Sequence, residues 1–209
     1  METKKIISKI LMVTVALVFI GGICLTTGCG KKETGAVAPV QNSVLDLTGL
    51  PPEVVASLPP DPGEKGKETI EGVNANNDAA GLRDDVERYI IVNYYNQPKI
   101  QEAVTRYAQV MQNAIRDISN QKYSKAQMKA TAVENKKNEF SEIDCLLYTF
   151  ESITSGNDKV LELTEAVINT EMRILAYGEY EKQAGDLVYH LIPRDQLASR
   201  CDLSTNSTQ

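Results

Sequence analysis

Apolar residues recur at helical spacing from residue 100 to residue 118, and this stripe constrains the fold more than any other feature. Its members are Ile100, Val104, Tyr107, Ala108, Met111, Ala114, Ile115 and Ile118. Residues three and four positions apart lie on one face of an α-helix, so the stripe predicts a long amphipathic helix. Asn96 and then Pro98 predict its start, because proline is well tolerated in a first helical turn.

Helical patterns lie on both sides of this stripe. A shorter helix is predicted from about Asp84 through Tyr94, and a longer one from Ser124 to about Ser152. The first half of the longer helix is polar, and its side chains, Lys136 among them, are expected to be exposed. Its second half, with several Leu, Ile and Phe residues, is expected to face the core.

The C-terminal third continues in the same way. Residues 155–158 read Ser-Gly-Asn-Asp and predict a turn that caps a fourth helix. A break at Asn169-Thr170 predicts the start of a fifth helix that runs towards Gly185, and the chain after Pro193 is expected to be irregular. No stretch of useful length alternates as a strand does. The predicted fold class is therefore all-α, a small bundle of about five helices.

Residues 1–28 are expected to be a leader outside this fold. Lys4, Lys5 and Lys9 precede an uncharged run of 14 residues, Ile10–Ile23. About 20 apolar residues are needed to cross a bilayer, so this run matches a secretory signal better than a membrane span. The following sequence, Leu-Thr-Thr-Gly-Cys-Gly at 25–30, resembles the lipobox of bacterial lipoproteins, in which the cysteine is acylated and becomes residue one.

Cys29 is thus the predicted lipidation site. Gly28 before it is small, whereas the bulk of Ile23 before Cys24 opposes cleavage there. An ordinary signal peptide cut nearby, or an uncleaved anchor, is the alternative. Multiple acyl chains on Cys29 would hold the protein stably at a membrane. Gly30 then points to the outer membrane, facing the periplasm or the exterior, because an Asp at that position acts as a retention signal in enteric-type bacteria.

Removal of the leader changes the charge and the cysteine count. The net charge falls from −6 to −8, because three lysines and Glu2 leave with it. Apart from Cys29, the mature chain then contains two cysteines, Cys145 and Cys201. Two cysteines in an oxidising envelope predict a disulfide. Two buried free thiols are the alternative. The acidic balance argues against nucleic acid as a partner, because phosphate binding needs clustered Lys and Arg. His190, the single histidine, cannot form a multi-histidine metal site or a His-based proton relay by itself.

The sequence predicts four regions. They are a lipoprotein signal peptide at 1–28, a flexible Pro-rich tether at 29–68, a helical domain at 69–203 and a disordered tail at 204–209. Six of the eight prolines lie in the tether, and proline keeps such a segment extended. A short amphipathic piece near Glu53–Leu58 is expected to dock on the domain or on a partner.

The domain opens with an Asn/Asp-rich loop whose spacing is similar to that of a calcium loop. Asn74, Asn76 and Asp78 alternate, and Asp85 is the twelfth residue counted from Asn74. Calcium takes about six to eight oxygen ligands, and such loops supply them from these places. The pattern is degenerate, since Ala79 stands where a glycine normally makes the turn. The alternative is a loop that caps the next helix, whose N-terminal end favours acids.

Several stretches resemble a family of uncharacterised secreted proteins of Gram-negative bacteria. They are Asp-Pro-Gly-Glu-Lys-Gly at 61–66, Thr-Ile-Glu-Gly-Val at 69–73, Arg-Asp-Asp-Val-Glu-Arg-Tyr-Ile at 83–90, and Asn-Thr-Glu-Met-Arg at 169–173 with Ala176-Tyr177. In that family a loop similar to the thrombospondin type 3 calcium repeat joins the second and third stretches. The resemblance covers most of residues 61–203 and implies a shared fold and an ancestral calcium loop, but no activity.

No catalytic motif is present, and no residue is assigned a catalytic role. The expected function is that of a lipid-anchored envelope protein with a structural or protein-interaction role. Its expected partners are the membrane, through acylated Cys29, and an unidentified envelope protein. The alternative is a calcium-binding envelope module that uses the 74–85 loop, with Ca²⁺ as its cofactor. A hydrolase that uses Asp84, Asp85 or Glu87 comes third, because paired catalytic carboxylates need a cleft and a set separation.

Overall fold

The computed structural model describes residues 45–75, 81–119, 123–150, 153–185, 187, 188, 190 and 192–201, which belong to one compact unit. The predicted signal peptide, Cys29 and the tail at 204–209 lie outside the described residues. Within them the chain is helical and has no strand. The prediction of an all-α bundle is therefore confirmed.

Seven α-helices and one 3₁₀-helix occur among the described residues. The α-helices are α1 Pro52–Ser57, α2 Asp84–Tyr94, α3 Pro98–Ile118, α4 Lys125–Thr149, α5 Ile153–Val167, α6 Glu171–Ala184 and α7 Arg194–Arg200. The 3₁₀-helix, Gly63–Lys67, lies between α1 and α2. Five of the α-helices, α2 to α6, are long enough to form the bundle, as the sequence predicts. Among the described residues, no helix has both the length and the apolar character needed to cross a membrane.

Helix α3 is the centre of the bundle and packs against α2, α4, α5 and α6. Its predicted apolar stripe is the buried face, on which Val104, Tyr107, Met111 and Ile115 are almost fully enclosed. The other helices cover this face with Val86 and Ile90 from α2, Leu146 from α4, Leu163 and Val167 from α5, and Tyr180 from α6. Burial of this apolar surface is the main favourable term in folding.

Two predicted helix starts are confirmed by their caps. Ser124 forms a capping box with Gln127: its hydroxyl accepts from the Gln127 N–H at 3.3 Å, and the Gln127 side chain accepts from the Ser124 N–H at 3.0 Å. Thr170 caps α6 by accepting from the Arg173 N–H at 3.3 Å. In both cases a side-chain oxygen satisfies a backbone donor that the first turn leaves without a partner.

The predicted turn at residues 155–158 is wrong, because this stretch lies inside α5. The physical reason is close packing of α5 on α4. A Cβ atom at Gly156 would lie 2.7 Å from Cδ2 of Leu147 and 3.2 Å from its Cα, so the glycine lets the two helices approach. Tertiary contact here overrides the low helix propensity of glycine and asparagine.

The prediction of an irregular end is also wrong, because residues 194–200 form α7. Pro193 stands at its N-cap, and Leu197 packs with Cys201 against Cys145 of α4. The two cysteine sulfurs are within bonding distance, and their Cα atoms are 5.2 Å apart, which fits a disulfide. The predicted pairing is therefore seen in the structure, and it joins α7 to α4.

The predicted tether contains local structure in its described part. The amphipathic piece near Glu53–Leu58 corresponds to α1, and Pro59 and Gly66 are buried. We call residues 59–73 the strap, because they run over the bundle before α2 begins. Contacts with the bundle therefore start before the predicted domain boundary at residue 69. The flexibility of the tether towards Cys29 stays a prediction.

Candidate functional site

Four polar residues from distant parts of the chain meet beneath the strap. Arg83 is the N-cap residue of α2, Asp85 lies in the first turn of α2, Asn169 lies in the break between α5 and α6, and Arg173 lies in the first turn of α6. Both arginine side chains are fully buried. We call these four residues the arginine cluster. They all come from the stretches on which the family resemblance depends.

Arg83 is fixed by both its backbone and its side chain. Its N–H donates to the Gln112 side chain at 3.0 Å, and Gln112 in turn donates to the Gly81 carbonyl at 2.7 Å. Its guanidinium donates to both carboxylate oxygens of Asp85, from Nε at 2.9 Å and from Nη2 at 3.1 Å. This two-point contact matches the planar guanidinium to the planar carboxylate, a geometry that a lysine cannot reproduce.

Asn169 joins the two arginines to the acid. Its Nδ2 donates to Asp85 Oδ2 at 2.8 Å, while its Oδ1 accepts from Arg173 Nη1 at 2.6 Å and from Arg83 Nη2 at 3.4 Å. Arg173 Nη1 also lies 3.8 Å from Asp85 Oδ2. One carboxylate and one amide oxygen thus accept from two guanidinium groups, which keeps buried charge paired.

The guanidinium of Arg173 binds three backbone carbonyls of the strap. Its Nη2 donates to the Gly66 carbonyl and, at 2.9 Å, to the Thr69 carbonyl, and its Nε donates to the Ile70 carbonyl at 3.2 Å. A second strap contact comes from Arg88, which donates to the Pro59 carbonyl. These bonds satisfy backbone acceptors that a segment outside the α-helices would otherwise present to water.

Gly72 is the point where the strap comes closest to the arginine cluster. Its φ of +63° is a left-handed conformation that favours glycine. A Cβ atom there would lie 2.5 Å from Arg83 Cδ and 2.8 Å from Arg173 Nη2. Both the backbone conformation and the space above the two arginines therefore require a residue without a side chain.

The electrostatics of the cluster follow from burial and from the unequal number of charges. Burial and the nearby charge of Arg83 together lower the pKa of Arg173 to about 10, although the charges of Asp85 and Glu71 act in the opposite direction. Burial alone would raise the pKa of Asp85, but hydrogen bonds and charge from Arg83, with Asn169 and Arg173, hold it below its usual range. Asp85 is therefore an anion fully engaged as an acceptor, unlike a general base, whose pKa would lie near neutrality.

Of the four predicted calcium ligands, the structure describes Asn74 and Asp85. Asp85 directs both carboxylate oxygens to Arg83, and two guanidinium groups beside it disfavour a divalent cation. Asn74 is half-buried at the edge of the loop, whereas Asn76 and Asp78 lie outside the described residues. Across the part of the chain that the structure describes, no group of three or more His, Cys, Asp or Glu side chains is placed to hold a metal ion.

Asp84, considered above as a hydrolase acid, closes the loop instead. Its side chain is buried, and both carboxylate oxygens accept from the Ala75 N–H at 3.1 Å. Its own N–H donates to the Val73 carbonyl at 2.8 Å. Asp84 thus joins the two ends of the Asn/Asp-rich loop.

A second buried polar group lies between α4 and α6, and the sequence analysis missed it. The ammonium of Lys136 donates to both oxygens of Glu139 at 3.1 Å and to Glu181 at 2.7 Å, and Tyr180 donates to Glu139 at 2.8 Å. The ammonium also lies 5.1 Å from the Phe140 ring centroid. We call Lys136, Glu139, Tyr180 and Glu181 the lysine cluster. The prediction that Lys136 is exposed is therefore wrong, because α6 covers it.

This environment raises the pKa of both Lys136 and Glu139, which favours the charged form of the lysine and disfavours that of the glutamate. Burial raises the pKa of Glu139, and Glu181 adds to that rise, while Lys136 and Tyr180 oppose it. Burial alone would lower the pKa of Lys136, but the charges of Glu139 and Glu181 outweigh it and raise that pKa. One ammonium thus serves two carboxylates. The sequence signal for this pair is the spacing of three between Lys136 and Glu139, a contact distance on a helix.

Comparisons with protein-family models, with curated proteins and with solved structures find no match to this chain. The arginine cluster and the lysine cluster are therefore interpreted from their geometry and chemistry alone.

Proposed function

We propose that this chain is a lipid-anchored protein of the bacterial cell envelope with a structural or protein-interaction role. The anchor is supported by the sequence, in which basic residues, the uncharged run Ile10–Ile23 and a small residue lead to Cys29. Acylation of Cys29 would hold the protein at a membrane with its helical domain facing the periplasm or the exterior. An envelope protein bound by the domain is its further partner.

The observation that carries the structural role is the attachment of the strap by Arg173. The strap lies between Cys29 and the bundle in sequence, so any load on the anchor enters the domain through residues 59–73. Three strap carbonyls accept from Arg173, and Pro59 accepts from Arg88. The buried charges of the arginine cluster are thus used to hold chain segments together, which is the use expected in a scaffold.

Metabolic labelling with a palmitate analogue tests the anchor. We expect the wild-type chain and a Cys24→Ser variant to incorporate the label, and a Cys29→Ser variant to incorporate none. Cys24→Ser is the matched control, because it removes a thiol from the same leader five residues earlier. Label on the Cys29→Ser chain, or its loss from the Cys24→Ser chain, would contradict lipidation at Cys29.

A calcium-binding module is the second proposal, supported by the way the loop is closed. The bonds between Asp84 and Ala75 hold the two ends of the loop together. A cation bound by the loop would therefore not have to bring these ends together itself. The contacts between Asp85 and Arg83 argue against calcium binding, because Asp85 could become a ligand only if these contacts broke.

Thermal melting in calcium and in magnesium separates the two proposals. A purely structural loop gives the same melting temperature in chelator, magnesium and millimolar calcium. A rise in melting temperature that occurs in calcium but not in magnesium, and that an Asp78→Asn variant does not show, would establish the calcium module. Asp158→Asn is a suitable control, since Asp158 is an exposed acid on α5 far from the loop in sequence.

A further inference from the structure

Helix α6 presents to solvent a narrow face that is uncovered among the described residues. The face consists of Glu171, Leu175, Gly178 and Lys182, all exposed. With about 100° of rotation per residue, these four lie within an arc of about 60°. The buried residues of α6, Arg173, Ala176, Tyr180 and Ala184, point to the opposite side. We call the exposed four the outer face of α6.

Two residues of the outer face are unusual for a surface that faces water. Leu175 leaves 67% of its surface exposed, the second-highest value among the exposed large apolar residues of the described chain, and Met172 beside it leaves 44% exposed. Gly178 lies in the middle of a helix, where glycine weakens the helix, and a Cβ atom there would meet nothing within 4 Å. Packing among the described residues therefore does not explain the glycine.

The spacing of the outer face is that of a helix–helix seam. Positions 171, 175, 178 and 182 follow one another at intervals of four, three and four, which is the repeat of core positions in a coiled coil. In such a seam each side chain inserts between residues of the facing helix. On the outer face, Leu175 supplies a protruding side chain, and Gly178 leaves a gap that can accept a side chain of the facing helix.

The same four residues are complementary to themselves in an antiparallel arrangement. A two-fold axis placed midway between Leu175 and Gly178 sets each Leu175 against Gly178 of the facing helix, because 175 and 178 are equidistant from that axis. The same axis sets each Glu171 against Lys182 of the facing helix. One register thus pairs a large apolar residue with a gap and an acid with a base.

We infer that the outer face of α6 binds a second copy of this chain as an antiparallel, two-fold symmetric helix pair. Opposite charges meet at both ends of the seam, and antiparallel helices place the positive end of each dipole beside the negative end of the other. Lys182 now pairs with Glu179 of its own helix at 3.0 Å, but this ion pair is exposed, so its rearrangement costs little.

The expected dimer is weak because α6 is short. Fourteen residues span about 21 Å, so the contact area falls at the low end for protein interfaces. The inference does not depend on the lipid anchor. Copies held on one membrane would nevertheless associate more readily, because anchoring raises their effective concentration.

Sedimentation equilibrium of the full chain in density-matched detergent micelles tests the inference, over about 10 µM to about 1 mM protein. We expect a concentration-dependent monomer–dimer equilibrium for the wild type. Glu171→Lys sets lysine against lysine, and Lys182→Glu sets glutamate against glutamate. Each single variant should therefore associate at least about tenfold more weakly.

Two rescues identify the register. The double variant Glu171→Lys/Lys182→Glu should dimerise again, because both charge pairs are reversed together. An equimolar mixture of the two single variants should form a heterodimer, because the lysines of one chain face the glutamates of the other. Both rescues require residue 171 to meet residue 182 across the interface, which contact with an unrelated protein or a parallel pairing would not produce.

Gly178→Gln separates an interface effect from a folding effect. The added side chain has space in the monomer, so we expect the melting temperature to be unchanged or higher, while dimerisation is lost. A wild type that stays monomeric throughout, single variants that dimerise as the wild type does, or a mixture without heterodimer would each overturn the inference. A Cys29→Ser chain should still show a monomer–dimer equilibrium, so failure of the anchor and failure of the interface give different results.

Discussion

The arginine cluster and the lysine cluster both bury charge inside a small bundle, but they do so with different chemistry. The arginine cluster gathers residues from the start of α2, the break before α6 and α6 itself, and it binds backbone carbonyls of the strap. The lysine cluster joins only α4 and α6, through side chains alone. The first attaches a segment that lies outside the α-helices, and the second aligns two helices that belong to the apolar core.

Depth of burial and the charge of the neighbouring groups explain the opposite pKa shifts of Asp85 and Glu139. Asp85 accepts from Arg83 at two points and from Asn169, with a second guanidinium nearby, and its pKa is lowered. Glu139 shares a single ammonium with Glu181, receives one more bond from Tyr180, and its pKa is raised. Burial acts against the charged form of both acids, but Glu139 is the more deeply buried and also lies near the negative charge of Glu181, so its donors do not outweigh burial as those of Asp85 do.

The largest expected effect is that of Arg173→Met. The change leaves three strap carbonyls without their donor and removes a cation beside Asp85, so we expect a loss of about 3 to 5 kcal/mol in unfolding free energy. Urea unfolding measures the loss, and hydrogen exchange at residues 66–72 reports release of the strap.

Two controls sharpen this result. Arg173→Lys keeps the charge but offers one compact donor group, so most of the loss should remain. Arg88→Met removes a single strap contact, at Pro59, and should cost about 1 kcal/mol. If Arg173→Met cost no more than Arg88→Met, the strap would not depend on the arginine cluster.

Lys136→Met is expected to cost somewhat less, about 2 to 3 kcal/mol. The variant leaves two carboxylates without their shared cation, but Glu139 can relieve this by taking up a proton, because its pKa is already raised. Lys137→Met is the matched control: its ion pair with Glu134 is exposed, so the change should be below about 0.5 kcal/mol. Urea unfolding measures the loss of unfolding free energy in both variants. Equal losses would show that the buried ion pairs of Lys136 stabilise the fold no more than an exposed ion pair does.

A glycine pair measures the packing of the strap against the arginine cluster. Gly72 and Gly81 both have φ of +63°, but only Gly72 faces the arginines, and a Cβ at Gly81 would meet nothing within 4 Å. Alanine carries the same backbone penalty at both sites. The difference in unfolding free energy between the two variants therefore measures the clash of the Cβ atom at residue 72 with the arginines. We expect Gly72→Ala to lower the unfolding free energy by about 2 kcal/mol more than Gly81→Ala does. Similar values would argue against tight contact at Gly72.

The smallest predicted effect is a pH dependence of opposite sign in the two clusters, on the order of 1 kcal/mol. The folded-state pKa of Asp85 is lowered, so its contribution is present above the unfolded pKa and is lost as pH falls through the folded value. The folded-state pKa of Glu139 is raised, so its contribution is most favourable below the unfolded pKa and declines as pH rises through the folded value.

Urea unfolding from about pH 3 to about pH 7 tests this with one variant for each cluster. The advantage of the wild type over Asp85→Asn should shrink in acid. The stability of the wild type relative to Glu139→Gln should instead fall as the pH rises. Parallel profiles for the two variants would contradict the contrast between the clusters.

Much of the fold could be predicted because it depends on local pattern. The stripe at residues 100–118 identifies the buried face of α3, and the starts of α4 and α6 follow from side chains that cap nearby backbone groups. The pairing of Cys145 with Cys201 follows from counting the cysteines left after Cys29. Each of these inferences needs only residues close in sequence or a count.

The candidate site could be predicted only in part. The stretches of the family resemblance contain Arg83, Asn169 and Arg173, but spacing along the chain does not show that Arg173 meets Gly66 or that Asn169 meets Asp85. The calcium pattern indicated a role for Asp85 as a ligand, whereas the structure pairs its carboxylate with Arg83. Contacts between residues that are 84 to 107 positions apart depend on how the helices pack.

By itself the sequence determined that the chain is helical, where most helices begin and which face of α3 is buried, because periodicity and capping act within one or two turns. Only the tertiary structure decided that Lys136 is enclosed, that residues 155–158 continue a helix and that the strap is held by Arg173. Each of these depends on a neighbour supplied by a distant segment: Glu181 for Lys136, Leu147 for Gly156, and the strap carbonyls for Arg173. Burial and pairing are properties of the packed bundle, so the polar residues of this protein acquire their roles only when it folds.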